Sequence, residues 1–230
     1  MIKKITDNVY QFDPGMVNCF VIDDSGSITL IDTGFTGSEE KIFKGLAGIG
    51  RKPTDIKQII LTHLHPDHSG AAAAIQNMLH IPVYASYKDG ELIKQGIGMR
   101  ESMIRMPGLI SWLVFNLVLK KAPKVIQPVN DIIDLADGQI LPILSGLKVI
   151  YTPGHSAGHI SLLLEKQQVL IAADICMNTN GLDYSILYED VPLAKQTLKN
   201  ISKYNFDIGC FGHGKPLMTN ANEKMSKKFS

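Results

Sequence analysis

Three histidines and an aspartate fall within six residues in the run Thr62-His63-Leu64-His65-Pro66-Asp67-His68-Ser69-Gly70. Imidazole and carboxylate are side chains that hold zinc and other borderline divalent metals. His63 and His65 stand two apart on a segment that reads as extended, so they project to the same side. Asp67 and His68 come where the chain turns into the next helix, and they aim at a neighbouring position. One four-ligand site fits this run. Two adjacent metals fit better if further ligands arrive from elsewhere. Three candidates do arrive: His155 in Thr152-Pro153-Gly154-His155-Ser156-Ala157-Gly158-His159, Asp174 after the apolar run Val169–Ala173, and His213 in Phe211-Gly212-His213-Gly214. Each follows the end of an expected strand, where open α/β sheets place their ligand sites. A lone histidine among glycines is more often a loop residue than a ligand; beside the His63–His68 run the joint reading is a metal centre.

Apolar runs and turn signals outline the elements that must carry these residues. Residues 18–23 and 27–32 flank Asp24-Ser25-Gly26 and read as a hairpin. Residues 37–46 read as a helix capped by Ser38, with Glu39 and Glu40 in its first turn. Residues 57–62 form a strand into the histidine run, and an Ala-rich helix over 69–79 leaves it, with Ser69 as a cap. Residues 81–85 make a further strand, where Pro82 favours an edge or a strand start. The alternation predicts α/β layering. Residues 86–128 hold the chain's one Trp and many apolar residues without a clean period, and read as a helical insertion. Strands resume at 132–135, 147–151, 161–165 and 169–173. A helix over 192–203 and a strand over 206–211 follow, and the polar tail from Asn220 is expected to be loose.

The composition narrows the function. With 45% hydrophobic and 20% charged residues among 230, the chain can bury a sizeable core. Its net charge of +1 argues against a nucleic-acid partner, which would call for a basic surplus or stripe. Cys19, Cys176 and Cys210 form neither a disulfide framework nor a thiolate zinc knuckle, and they fit a reducing compartment. No signal-peptide core stands at the N-terminus, and Met106–Leu119 is too short and too interrupted for a bilayer span. The expectation is a cytoplasmic protein without stable membrane insertion, acting on a small molecule.

With these residues in place, the chain resembles the metallo-β-lactamase-fold superfamily of metal-dependent hydrolases, from about Val9 to His213. The HxHxDH run and the later His, Asp and His follow the family's order, and Asp32-Thr33-Gly34 matches its early Asp-x-Gly feature. The resemblance implies a single αββα four-layer sandwich over residues 1–230: two mixed sheets flanked by helices, with the helical insertion at about 86–128. It also implies two divalent metal ions, most naturally zinc, with iron or manganese as alternatives. His63, His65 and His155 would hold the first, and Asp67, His68 and His213 the second. Asp174 would bridge them and Asp32 would support them from behind. The implied chemistry is a metal-bridged hydroxide attacking an electrophilic carbonyl, with Asp67 as the catalytic residue that orients the nucleophile and moves its proton.

The segment around His155 resembles that of glyoxalase II-type thioesterases and their lactonase relatives, which implies a thioester, lactone or related ester as substrate. Two departures bear on this. Acyl-homoserine lactonases carry a Tyr shortly after the bridging Asp, whereas Ile175, Cys176 and Met177 follow Asp174 here, with Tyr184 and Tyr188 further on. A glyoxalase II C-terminal extension is also not recognisable. The rival readings are a mononuclear-iron persulfide (sulfur) dioxygenase and a β-lactam hydrolase. His159 is read as structural, Cys176 and Cys210 as buried in strands, and the 86–128 insertion as a substrate lid, a homodimer interface or simply a core helix.

Overall fold

The computed structural model describes residues 2–230. The first half runs β1 (Ile2–Lys4), β2 (Val9–Phe12), β3 (Cys19–Asp24), β4 (Ser27–Ile31), α1 (Glu39–Gly48), β5 (Ile56–Ile60), α2 (Pro66–Ser69), α3 (Ala72–Leu79), β6 (Val83–Ser86), α4 (Tyr87–Lys94), β7 (Ile104–Arg105), α5 (Leu109–Leu117) and β8 (Ile132–Leu135). The second runs β9 (Ile140–Leu141), β10 (Leu147–Tyr151), β11 (Ile160–Leu164), β12 (Val169–Ala173), β13 (Met177–Asn178), β14 (Leu182–Asp183), β15 (Leu187–Tyr188), α6 (Val191–Ile201), β16 (Ile208–Phe211) and α7 (Ala221–Phe229).

Seven strands form one sheet in the order β1-β2-β3-β4-β5-β6-β8. It is antiparallel through β4 and parallel from β4 to β8. Five strands form the other, β16-β12-β11-β10-β9, with β16 parallel to β12. Successive side chains on a strand point to opposite faces, and this sorts the core into layers. On β3, Cys19 and Val21 pack with Ile42 and Leu46 of α1 and Ile75 of α3. Phe20 and Ile22 of the same strand face the other sheet, meeting a cluster that includes Val149, Leu162 and Ile171. On the far side, Leu163 and Leu170 pack against Leu198 of α6 and Phe229 of α7. The layers are helices, sheet, sheet, helices, as expected. Cys19, Cys176 and Cys210 are free and buried, and burial pushes the Cys176 thiol well up and the Cys210 thiol up to about 12.

Four local expectations are corrected. The tail is not loose: α7 buries Ala221, Met225 and Phe229, which recur every four residues and so share one helix face. The Ala-rich helix is two pieces, α2 and α3, broken at Gly70-Ala71. Ser69 caps neither, since its hydroxyl donates to the Leu64 carbonyl at 2.7 Å. Ser38 occupies the N-cap position of α1 without a side-chain cap bond. Pro82 stands at a strand start, one of its two expected places: it lies just before β6, which runs inside its sheet between β5 and β8, and there its missing N–H does no harm.

Candidate metal centre

Five chain segments converge at one edge of the sandwich. β4 ends at Ile31 and delivers Asp32; β5 ends at Ile60 and delivers the histidine run. β10, β12 and β16 deliver His155, Asp174 and His213 just past their C-terminal ends. His63 Nε2, His65 Nδ1 and His155 Nε2 face one another, at 3.1 Å between the first two and 3.0 Å between the last two. Around a tetrahedral ion with bonds of about 2.0–2.1 Å, ligand atoms stand roughly 3.3 Å apart. A second group is built from Asp67, His68 and His213, and a third from His63, His68 and Asp174. Asp174 lies between them: Oδ2 is 3.6 Å from His155 Nε2 and 3.1 Å from His213 Nε2, and Oδ1 is 3.5 Å from His68 Nε2. All seven sequence-derived candidates are therefore brought together.

The far side of each ring explains its orientation. The His63 Nδ1–H donates to the Thr62 hydroxyl at 3.0 Å, which in turn donates to Asp32 Oδ2 at 2.7 Å. His68 Nδ1–H donates to the same Oδ2 at 2.8 Å. The Leu187 carbonyl takes the His155 Nδ1–H at 2.9 Å, and the Met16 carbonyl takes the His213 Nδ1–H at 2.7 Å. These partners place the proton on Nδ1 in all four rings and turn each Nε2 toward the centre. Metal-ligating histidines are tied in this way. Among the described residues, His68 Nε2 and Asp174 Oδ1 are buried without a hydrogen-bond partner, a costly arrangement unless a cation is held between them. The donor set fits divalent metal.

Charge is divided between the two groups. Burial, together with neighbouring imidazoles, pushes His63 and His155 below the usual histidine range and His65 down to about 3. These rings are neutral, the form that binds metal. Burial also opposes charge on His68, but Asp174, Asp67 and Asp32 outweigh it and hold its pKa at about 10. His213 is raised against burial by Asp174 and Asp67. Conversely, burial would raise Asp67 and Asp174, and the two charged imidazoles hold both carboxyls low instead.

A pH dependence follows for the metal-free protein. An unfolded histidine titrates near 6.5, so the stability from His68 is complete below that and is lost as pH rises toward about 10. His65 acts in the opposite sense, and stability is lost as pH falls from about 6.5 toward about 3. Thermal melting of chelator-treated protein should show a maximum near neutral pH. A His68→Gln variant should flatten the alkaline arm; a melting temperature still climbing at pH about 9 would contradict this electrostatic picture.

Several positions beyond the seven candidates shape the centre. Asp89, on α4, is fully buried. Its carboxylate accepts from the Leu64 N–H at 3.1 Å, the Ser156 hydroxyl, the Gly158 N–H at 3.0 Å and Arg100 Nη1 at 2.9 Å. It thereby ties the loop bearing His63 and His65 to the loop bearing His155. Arg100 also reaches Glu189 Oε1 at 2.9 Å, and Glu189 Oε2 accepts the Ala157 N–H at 2.7 Å. Replacing Asp89 with Asn should weaken metal affinity about 10–100-fold, measured by competition with a chromophoric chelator; an unchanged affinity would remove Asp89 from this role. His159 accepts the Asp174 N–H on Nε2 at 3.1 Å and donates from Nδ1 to the Thr152 hydroxyl at 2.7 Å, so it positions Asp174. Tyr188 is not a spare donor: its hydroxyl donates to the Ile175 carbonyl at 2.7 Å and accepts the Ser185 N–H at 2.8 Å. Gly212 is obligatory, since a Cβ there would run into Asp174 Oδ1 and His68 Cε1.

Known proteins match this fold. An uncharacterized protein of Bacillus subtilis (strain 168) is 29% identical over 170 residues, which cover 74% of this chain and 66% of that protein. An N-acyl homoserine lactonase of Bacillus cereus is 26% identical over 226 residues, covering 85% of this chain and 80% of the lactonase. The crystal structure of a metallo-beta-lactamase family protein from Thermus thermophilus superposes with a TM-score of 0.75 at 21% identity, over 97% of this chain and 79% of its own. The family model of the metallo-beta-lactamase superfamily matches residues 12–213. The chain belongs to the metallo-beta-lactamase superfamily, a family of metal-dependent hydrolases.

Proposed function

We propose that this hydrolase is dinuclear and opens lactones, with thioesters and related esters as the neighbouring substrate class. The observation that carries the reading is the set of four histidines whose Nδ1 atoms are each tied to an acceptor while their Nε2 atoms converge about Asp174. His63, His65 and His155 would hold one divalent ion and Asp67, His68 and His213 the other, with Asp174 between them. Zinc is the natural occupant of such a nitrogen-rich set. Bound there, the metals would lower the pKa of water to supply a nucleophile near neutral pH and would polarise the carbonyl under attack.

The protein's own groups would do the rest. Asp67 and His213 are the partly exposed members of the set, so substrate would enter on their side. Asp67, whose Oδ2 lies 3.3 Å from His213 Nε2, would orient the nucleophile and take its proton. The lactone preference is supported by the likeness to N-acyl homoserine lactonases, at 26% and 29% identity. Tyr188 does not supply a leaving-group contact here, because its hydroxyl is already engaged. A panel of N-acyl homoserine lactones, S-acyl thioesters and β-lactams tests the reading. Lactone opening should have the highest kcat/KM, and activity confined to the β-lactams would overturn it.

A further inference from the structure

Helix α5 is set apart from the three cores. Seven of its nine residues are apolar, yet none is buried. Leu109 is 73% exposed, Leu117 67%, Ile110 60% and Trp112 50%, and exposed Val118, directly after the helix, extends the patch. A surface helix ordinarily turns a polar face to water. A contiguous apolar patch marks a surface that meets a protein or a membrane. The charges beside it favour one of these. Between Glu101 and Asp131 the chain carries Arg105, Lys120, Lys121 and Lys124 and no acidic residue, in a protein whose net charge is only +1. All three lysines are exposed.

We propose that α5, together with Lys120, Lys121 and Lys124, docks the protein on the surface of an anionic lipid bilayer. Nine residues make a helix of about 14 Å, roughly half the thickness of a hydrocarbon core, so α5 lies along the interface and does not cross it. Among the described residues no helix is long and apolar enough to span a membrane. Trp and Leu side chains sink to the headgroup–acyl boundary, and the lysines meet lipid phosphates. A second copy fits the patch less well, because a two-fold interface presents the same surface twice and sets this cationic stretch against its own image. One strand pair links α5 to the metal centre. β7, just before α5, pairs with β15, whose Leu187 carbonyl holds the His155 ring.

The test uses the full chain and its single tryptophan, Trp112, which lies on α5 itself. Vesicles of phosphatidylcholine containing phosphatidylglycerol should sediment the protein and shift Trp112 emission to the blue, and added salt should weaken both effects. Pure phosphatidylcholine vesicles should do far less. Replacing Lys120, Lys121 and Lys124 together by Gln should weaken partitioning on the order of 100-fold, at roughly fivefold per lysine. Leu109→Ser with Leu117→Ser, both surface changes, should abolish the shift and leave the circular-dichroism spectrum intact. An emission unmoved by the phosphatidylglycerol-containing vesicles would overturn the proposal, as would equal binding to both. A blue shift that grows with protein concentration without lipid, alongside a dimer in sedimentation velocity, would overturn it too and assign the patch to a second copy.

Discussion

An Asp174→Asn variant should lose on the order of 10³-fold in kcat while keeping its fold. A carboxylate shared by two cations supplies several kcal/mol of charge stabilisation, and each 1.4 kcal/mol is about tenfold in rate. Asn keeps one acceptor oxygen and the volume, but it carries no charge and cannot present two equivalent oxygens. The backbone of Asp174 is held independently of its side chain. Its N–H donates to His159 and its carbonyl accepts from the Ser185 hydroxyl at 2.6 Å. The circular-dichroism spectrum should therefore change little, and the loss should appear in turnover and in bound metal. Full activity in a variant whose metal content equals that of the wild type would contradict the bridging role.

Asp32→Ala should produce the largest loss of stability. Asp32 is fully buried and accepts from the Thr62 N–H at 2.8 Å, the Thr62 hydroxyl and the His68 ring. Its backbone is also unusual, with a φ of +59° at a residue that is not glycine. Removing one partner of a buried charged pair costs about 3–5 kcal/mol, because the other charge is left without compensation. Urea unfolding of the metal-free variant measures this. A loss below about 1 kcal/mol would show that Asp32 supports neither ring. Asp32→Asn should fall between wild type and Asp32→Ala, since it retains one acceptor for the Thr62 N–H.

These two carboxylates differ in how clearly the sequence announces them. Asp174 is legible because it ends an unbroken apolar run that can only be a buried strand, and strand ends are where α/β sheets gather ligands. The same reasoning reaches His155 and His213, which follow strands far apart in the chain and come to one centre only because those strands belong to one sheet. Asp32 is legible as a short motif, but its bond to His68 is not, since a 36-residue separation carries no local signal. Asp89 is invisible for the same reason: in Tyr87-Lys88-Asp89-Gly90 it reads as an ordinary polar residue in the first turn of a helix. Only the packing of α4 against the His155 loop makes it a buried clamp.

Helix α7 escapes notice for a different cause. Its lysines and polar residues dominate the composition, and the three residues that dock it, Ala221, Met225 and Phe229, are spread one per turn. Helix α5 is the reverse case. Its apolar composition suggests a core element, yet it stands outside every core cluster. Periodicity reports which side chains share a face, and only tertiary contacts report what that face meets.

The most direct test is the metal content per chain, by elemental analysis of protein purified without chelator and without a metal-affinity column. The proposed dinuclear reading predicts two divalent ions, chiefly zinc, falling to one in a His213→Ala variant. One iron per chain, with no second metal taken up on titration, would contradict the dinuclear hydrolase and favour dioxygenase chemistry at His63, His65 and His155.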